Sequence, residues 1–99
     1  MHCVSSYPCP NEKINLPRIK WLSSLSEDVG FSDHTKSTVV PALSVMYGAS
    51  VIEKHFTIDN NLPGRDNANA LEPNEFKIMV DNIHESAAAL VDLGNGIKI

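Results

Sequence analysis

The chain has 99 residues, 42% of them hydrophobic and 20% charged, which suits one small globular domain. A formal net charge of -4 and eight scattered Lys and Arg argue against a nucleic-acid-binding face. No apolar run approaches the roughly 18 residues that would span a bilayer.

The opening residues Met1-His2-Cys3-Val4-Ser5-Ser6 carry neither a basic segment nor a long apolar stretch, so no signal peptide is visible. Cys3 and Cys9 match no zinc spacing and make no disulfide framework; both read as reduced thiols, and the expected compartment is the cytoplasm.

In chain order, the first strand is expected over 1–5, stopped by Tyr7-Pro8-Cys9-Pro10-Asn11. Apolar residues at 16, 19, 22 and 25 predict a helix over 16–25, with Pro17 in its first turn. A second strand is expected over 29–32, with Asp33-His34-Thr35 leaving its end. Ser37 can cap a helix over 38–47 that stops at Gly48. A third strand covers 50–56, where the adjacent Val51 and Ile52 suit burial on both faces. The stretch 57–71 is a long loop rich in Asn, Asp, Gly and Pro. Glu72-Pro73-Asn74-Glu75 opens a last helix over 73–93, with Phe76, Met79, Val80, Ile83, Ala87, Leu90 and Val91 on one stripe; Gly94 and Gly96 end it.

The order β-α-β-α-β-α predicts a parallel sheet with right-handed crossovers. Eight such units would fill about 250 residues, the size of a (β/α)8 barrel. Three units cannot close a barrel, and helices on one face would leave the other face wet. The chain therefore reads as a piece of something larger.

His34 and His55 each end a strand-like run. On neighbouring parallel strands, the imidazoles would emerge side by side at the edge where α/β proteins build active sites. Side chains alternate along a strand, so Ser32, His34, Glu53 and His55 should share one face, with Asp33 and Lys54 on the other. Two neutral imidazoles, a carboxylate and open positions suit Mn2+, Fe2+, Zn2+ or Mg2+. The alternative is that each histidine is a hydrogen-bonded core or surface residue. Rings held well beyond ~10 Å apart could not share an ion.

Ser5 and Tyr7 follow the first strand and would share this rim, unless they serve only the turn. Asp66, in Pro63-Gly64-Arg65-Asp66-Asn67, is placed either to bond sugar hydroxyls or in a solvated turn. Glu72 and Glu75 read as helix-start residues, and His2 and His84 have no convincing partner.

Five runs in order carry a wider likeness: His2-Cys3-Val4-Ser5-Ser6-Tyr7-Pro8, Gly30-Phe31-Ser32-Asp33-His34-Thr35, Val51-Ile52-Glu53-Lys54-His55-Phe56-Thr57, Leu62-Pro63-Gly64-Arg65-Asp66 and Leu71-Glu72-Pro73. From Met1 to about Gly94 the chain resembles the sialic acid synthase family, which includes N-acetylneuraminate, legionaminate and pseudaminate synthases. The resemblance implies a phosphoenolpyruvate-dependent condensation with an N-acetylated amino sugar such as N-acetylmannosamine, giving a nine-carbon 2-keto acid and phosphate. It implies Mn2+ or Mg2+ on His34 and His55, and Glu53 as a metal neighbour or proton-handling group. It assigns Ser32 and Ser5 to phosphoenolpyruvate, the latter where some members carry Asn, and Tyr7 and Asp66 to the amino sugar. Members have a full barrel and a small antifreeze-like domain, and pair as homodimers whose small domains cap the partner's site.

By that resemblance the chain matches the last three βα units of a TIM (β/α)8 barrel, and the fragment alone is expected to be inactive. Neither nucleic acid nor membrane is an expected partner. The competing reading is a non-catalytic α/β module that keeps the metal pair and binds sugar or a partner subunit. A small α/β domain with two structural histidines is the third.

Overall fold

The computed structural model describes residues 2–3, 9–64 and 67–91. β1 (His2–Cys3), β2 (Val29–Asp33) and β3 (Ala49–Lys54) form one parallel sheet in the order β1-β2-β3. Three helices accompany them: α1 (Pro17–Ser23), α2 (Val40–Met46) and α3 (Pro73–Ala89), with 3-10 turns at Asn11–Lys13 and Asn67–Asn69. Among the described residues, no helix is long and apolar enough to cross a membrane.

β2 is the central strand, and all five of its residues are buried. Its Val29 and Phe31 point into a core built with Cys9, Ile14, Ile19, Val40 and Ala49; Phe31 and Ile19 are fully buried. Burying a Phe or Ile contributes about 1.5–3 kcal/mol, so this layer holds the helices to the sheet. A register shift beside Val29 leaves Ser50 as the extra residue, and pairing then runs from Gly30–Val51 to Asp33–Lys54.

β3 departs from the expectation of burial on both faces. Val51 is 52% exposed and Ile52 only partly buried. β3 ends the strand order, and the helices and core side chains occupy the Phe31 side of the sheet. The opposite side, which carries Val51 and Glu53, is open among the described residues.

Several expected boundaries shift for local reasons. α1 ends at Ser23 rather than 25, where Ser23 and Ser24 turn their hydroxyls onto the Lys20 and Trp21 carbonyls at 2.6 Å each; Leu25 lies beyond it, exposed. α2 begins at Val40 because Ser37 Oγ accepts the Val39 and Val40 N–H groups at 2.9 and 3.0 Å. Gly48 follows α2 at φ +106, which a side chain would strain. β3 stops at Lys54 because the ladder changes partner. The His55 carbonyl accepts from Leu71 N–H at 3.0 Å, and Thr57 N–H donates to the Leu71 carbonyl at 2.9 Å. The expected positions 4–5 of the first strand and 92–93 of the last helix lie outside the described residues.

The described residues 57–64 and 67–71 form a loop held by its own polar groups. Asn60 Nδ2 donates to the carbonyls of Asn67 (2.6 Å) and Ala70 (2.8 Å). Asn67 Nδ2 donates to Pro63 (2.9 Å), passing so close to Gly64 that a Cβ there would lie 2.5 Å from it. Glu72 caps α3 in a capping box with Glu75, and its Oε2 also accepts from Asn60 N–H at 2.8 Å. On α3, Met79 is buried and Phe76, Val80 and Ile83 are partly buried, whereas Ala87, Leu90 and Val91 are exposed. The seven residues of α2 span about 10 Å and cannot cover the stripe of a 17-residue helix.

His2, expected to lack a partner, has one. Its Nε2–H donates to the Ile14 carbonyl at 2.6 Å, and its ring stacks on Phe31 with centroids 5.9 Å apart. His84 is exposed on α3.

Because Glu72 joins the helix cap to the loop, Glu72→Ala should lower stability by about 1–2 kcal/mol, in the upper range for lost N-caps. Urea denaturation monitored by circular dichroism checks this; a midpoint equal to wild type would contradict it.

Candidate functional site

The strand register places Ser32 opposite Glu53, and Ser32 Oγ donates to Glu53 Oε1 at 2.7 Å. His34 and His55 stand one step beyond, at the C-terminal rim, with ring centroids 5.8 Å apart and planes tilted by 41°. Both rings are half-buried and both Nδ1 atoms are shielded from solvent. His34 Nε2 lies 3.5 Å from Ser32 Oγ. The four residues placed on one face by alternation are thus together.

A fifth side chain joins them. Cys3 pairs with Ser32 across β1 and β2, and its Sγ lies 3.7 Å from His34 Nε2. It is an exposed free thiol, as is the buried Cys9 a free thiol. Cys3 joins this face through the β1–β2 register, which alternation along a single strand does not supply. Burial pushes the Cys9 thiol up from its ordinary pKa, with the Asp33 charge adding to the effect, so Cys9 is the less reactive kind of cysteine.

Behind the histidines, on the helix side, Lys54 Nζ donates to Asp33 Oδ2 (2.7 Å) and to the carbonyls of Thr35 (2.6 Å) and Ser37 (3.0 Å). Asp33 Oδ1 accepts Thr35 N–H at 2.8 Å, and Oδ2 accepts the Thr35 hydroxyl at 3.0 Å. Both side chains of the ion pair are buried. Burial lowers the Lys54 pKa from its ordinary value, and its bond to Asp33 opposes the shift. Alternation places Asp33 and Lys54 on this far face, and the β2–β3 register pairs them.

Beyond β3, a cavity of about 500 Å3 is lined by Glu53, Lys54, His55, Phe56, Asn67 and Ala70. The 57–71 loop forms part of its wall through Asn67 and Ala70. Glu72 and Glu75 are the helix-start residues expected of them. Ser5, Tyr7 and Asp66, the other expected substrate contacts, lie outside the described residues.

The two imidazoles fit a divalent ion as a pair. Their centroid spacing of 5.8 Å is within reach of an ion bonded at about 2.1 Å to one nitrogen of each ring. Among the described residues, no group of three or more His, Cys, Asp and Glu is arranged to hold a metal. Glu53 Oε1 is engaged by Ser32. An ion held here would have two imidazole nitrogens from these strands, and its other positions would fall to water or substrate oxygens.

The model of the NeuB family matches residues 1–98. Spore coat polysaccharide biosynthesis protein SpsE of Bacillus subtilis is 50% identical over 93 residues, which is 91% of this chain and 25% of that protein. N,N'-diacetyllegionaminic acid synthase of Legionella pneumophila is 41% identical over 99% of this chain and 27% of its own length. The crystal structure of N-acetylneuraminic acid (sialic acid) synthetase from Leptospira borgpetersenii matches with a TM-score of 0.88 at 37% identity, covering 97% of this chain and 34% of that one. The chain spans about a quarter to a third of the length of these relatives. With the parallel α/β architecture shared and the match running through nearly every residue, this chain belongs to the NeuB family.

Proposed function

We propose that this chain supplies the last three βα units of a (β/α)8 barrel in a synthase that joins phosphoenolpyruvate to an N-acetylated amino sugar of the N-acetylmannosamine type. The methylene carbon of phosphoenolpyruvate forms the new C–C bond with the sugar aldehyde. Water adds at C2, and C–O cleavage releases phosphate and leaves a nine-carbon 2-keto acid. The observation that carries this reading is the imidazole pair at one rim beside the Ser32–Glu53 hydrogen bond. The names of the relatives, synthases of sialic and legionaminic acids among them, support the same chemistry. The open face of the sheet suits a wall segment whose inner side faces further strands.

In this reading His34 and His55, as neutral nitrogen ligands, hold Mn2+ or Mg2+. The ion, when bound, acts as a Lewis acid on the aldehyde. Ser32 contacts phosphoenolpyruvate while its hydroxyl donates to Glu53, and the proposed role of Glu53 is to take or return a proton at the rim. Ser5 joins Ser32, and Tyr7 and Asp66 hold the sugar. The intact synthase would carry the earlier barrel units and an antifreeze-like domain, and would act as a cytoplasmic homodimer.

Phosphoenolpyruvate is polyanionic and needs several positive donors. Lys54, the lysine flanking the pair, has its ammonium committed to Asp33, Thr35 and Ser37 behind the sheet. We therefore expect the 99-residue chain, incubated with phosphoenolpyruvate, N-acetylmannosamine and Mn2+, to release no phosphate above background. Steady phosphate release would show that the chain suffices by itself.

The metal assignment is tested separately. Mn2+ titration of the chain, followed by electron paramagnetic resonance, should show binding that His34→Ala and His55→Ala each weaken by more than about tenfold. Unchanged affinity in both variants would remove the metal from this rim.

A further inference from the structure

The geometry points to a positioning role for Asp33 and Lys54: the buried ion pair on the helix side sets the spacing of the two imidazoles on the opposite side. The inference deepens the metal reading of His34 and His55 and rests on it. Asp33 immediately precedes His34 and Lys54 immediately precedes His55, and the two are register partners in neighbouring strands. Because side chains alternate, a contact between this pair behind the sheet fixes the step that carries both imidazoles in front of it.

The bracket closes on His34 from both sides. Lys54 Nζ grips Asp33 Oδ2 before it, and the carbonyls of Thr35 and Ser37 after it. Asp33 Oδ1 accepts Thr35 N–H at 2.8 Å, an Asx-type turn that spans His34 and sets its backbone. An ammonium has three donors, and these three bonds occupy them, with the Thr35 hydroxyl a longer fourth contact at 3.4 Å. Lys54 thus ties the whole 33–37 segment to the residue before His55. Two further backbone bonds hold the histidines' own carbonyls: Cys9 N–H to His34 at 2.9 Å, and Leu71 N–H to His55 at 3.0 Å. Those two anchor each histidine to its own flank; Lys54 links one histidine's strand end to the other's.

The test reads ring spacing with and without metal. In the metal-free chain, nuclear Overhauser contacts between the His34 and His55 ring protons report the 5.8 Å arrangement. Mn2+ affinity reports its use. Lys54→Met and Asp33→Asn should keep a dispersed amide spectrum yet lose the inter-ring contact, and should bind Mn2+ about 10- to 100-fold more weakly. Should Lys54→Met fail to fold, Asp33→Asn, which retains an acceptor for Thr35 N–H, is the variant that decides. The double variant Asp33→Asn/Lys54→Met separates positioning from stability, since it leaves no lone buried charge. It should melt above Lys54→Met while still lacking the inter-ring contact.

Folded variants that keep the inter-ring contact and wild-type Mn2+ affinity would overturn the inference and leave the metal site standing. A wild-type chain that shows the inter-ring contact but binds no Mn2+ would overturn the metal reading instead. The ring contacts of the variants would then decide the positioning role alone.

Discussion

The ion pair between Asp33 and Lys54 is the contact on which the arrangement of the site depends. Its net contribution to stability is not the reason. Taking a carboxylate and an ammonium out of water costs several kcal/mol for each ion, and their attraction at 2.7 Å repays this only when the remaining donors and acceptors are satisfied. Here they are: the ammonium has an acceptor for each proton, and both carboxylate oxygens accept from Thr35. What such a pair does supply is registry. Removing one partner costs about 3–5 kcal/mol, and sliding β3 by one residue would send Lys54 to the opposite face and leave Asp33 buried alone. The hydrophobic residues of the same interface are less exacting, because apolar contact is non-directional.

The sheet divides its labour by face. The helix side carries Val29, Phe31 and the ion pair, all buried. The other side carries Cys3, Ser32, Glu53 and the two histidines, and there Cys3, Val51 and Glu53 are exposed. A packed face supplies rigidity and an open face supplies access. Because both faces belong to the same backbone, rigidity on one side is transmitted as fixed geometry on the other. The loop after β3 extends the scheme. Asn60, Asn67 and Glu72 satisfy its backbone groups, so a stretch with little regular structure still presents a defined wall beside His55.

The histidine face was legible from the sequence because period-two alternation needs only knowledge of where each strand lies. His34, His55, Ser32 and Glu53 follow from that rule, and their contacts bear out the shared face. Pairing across strands was not legible in the same way. The pairing of Asp33 with Lys54, and Cys3 beside His34, depends on register, which alternation leaves open. His2 was overlooked because its acceptor, the Ile14 carbonyl, is a backbone group of a distant turn. The expected end of the third strand at 56 moves to Lys54 because His55 and Phe56 keep a strand-like sequence while the hydrogen bonds beyond Lys54 pass to Leu71. The exposure of Val51 reverses a local rule: two adjacent β-branched residues ask for cover on both faces, and the described residues provide it on one.

Charge placement bears directly on the proposed reaction. Two imidazole nitrogens, a hydroxyl and a carboxylate suit the coordination of a cation and the handling of a proton, and none of them is a dedicated partner for a polyanion. The ammonium in the neighbouring β3 position points away from the rim and is neutralised by Asp33. In the proposed reaction an anionic substrate would gain its attraction from the proposed ion and from groups beyond these strands, while the strands would fix where that ion sits. The strong charges beside the imidazoles are paired behind the sheet, away from the rings. The ion pair and the imidazole pair are then two sides of one constraint, the first making the second possible at a spacing that a single cation can bridge.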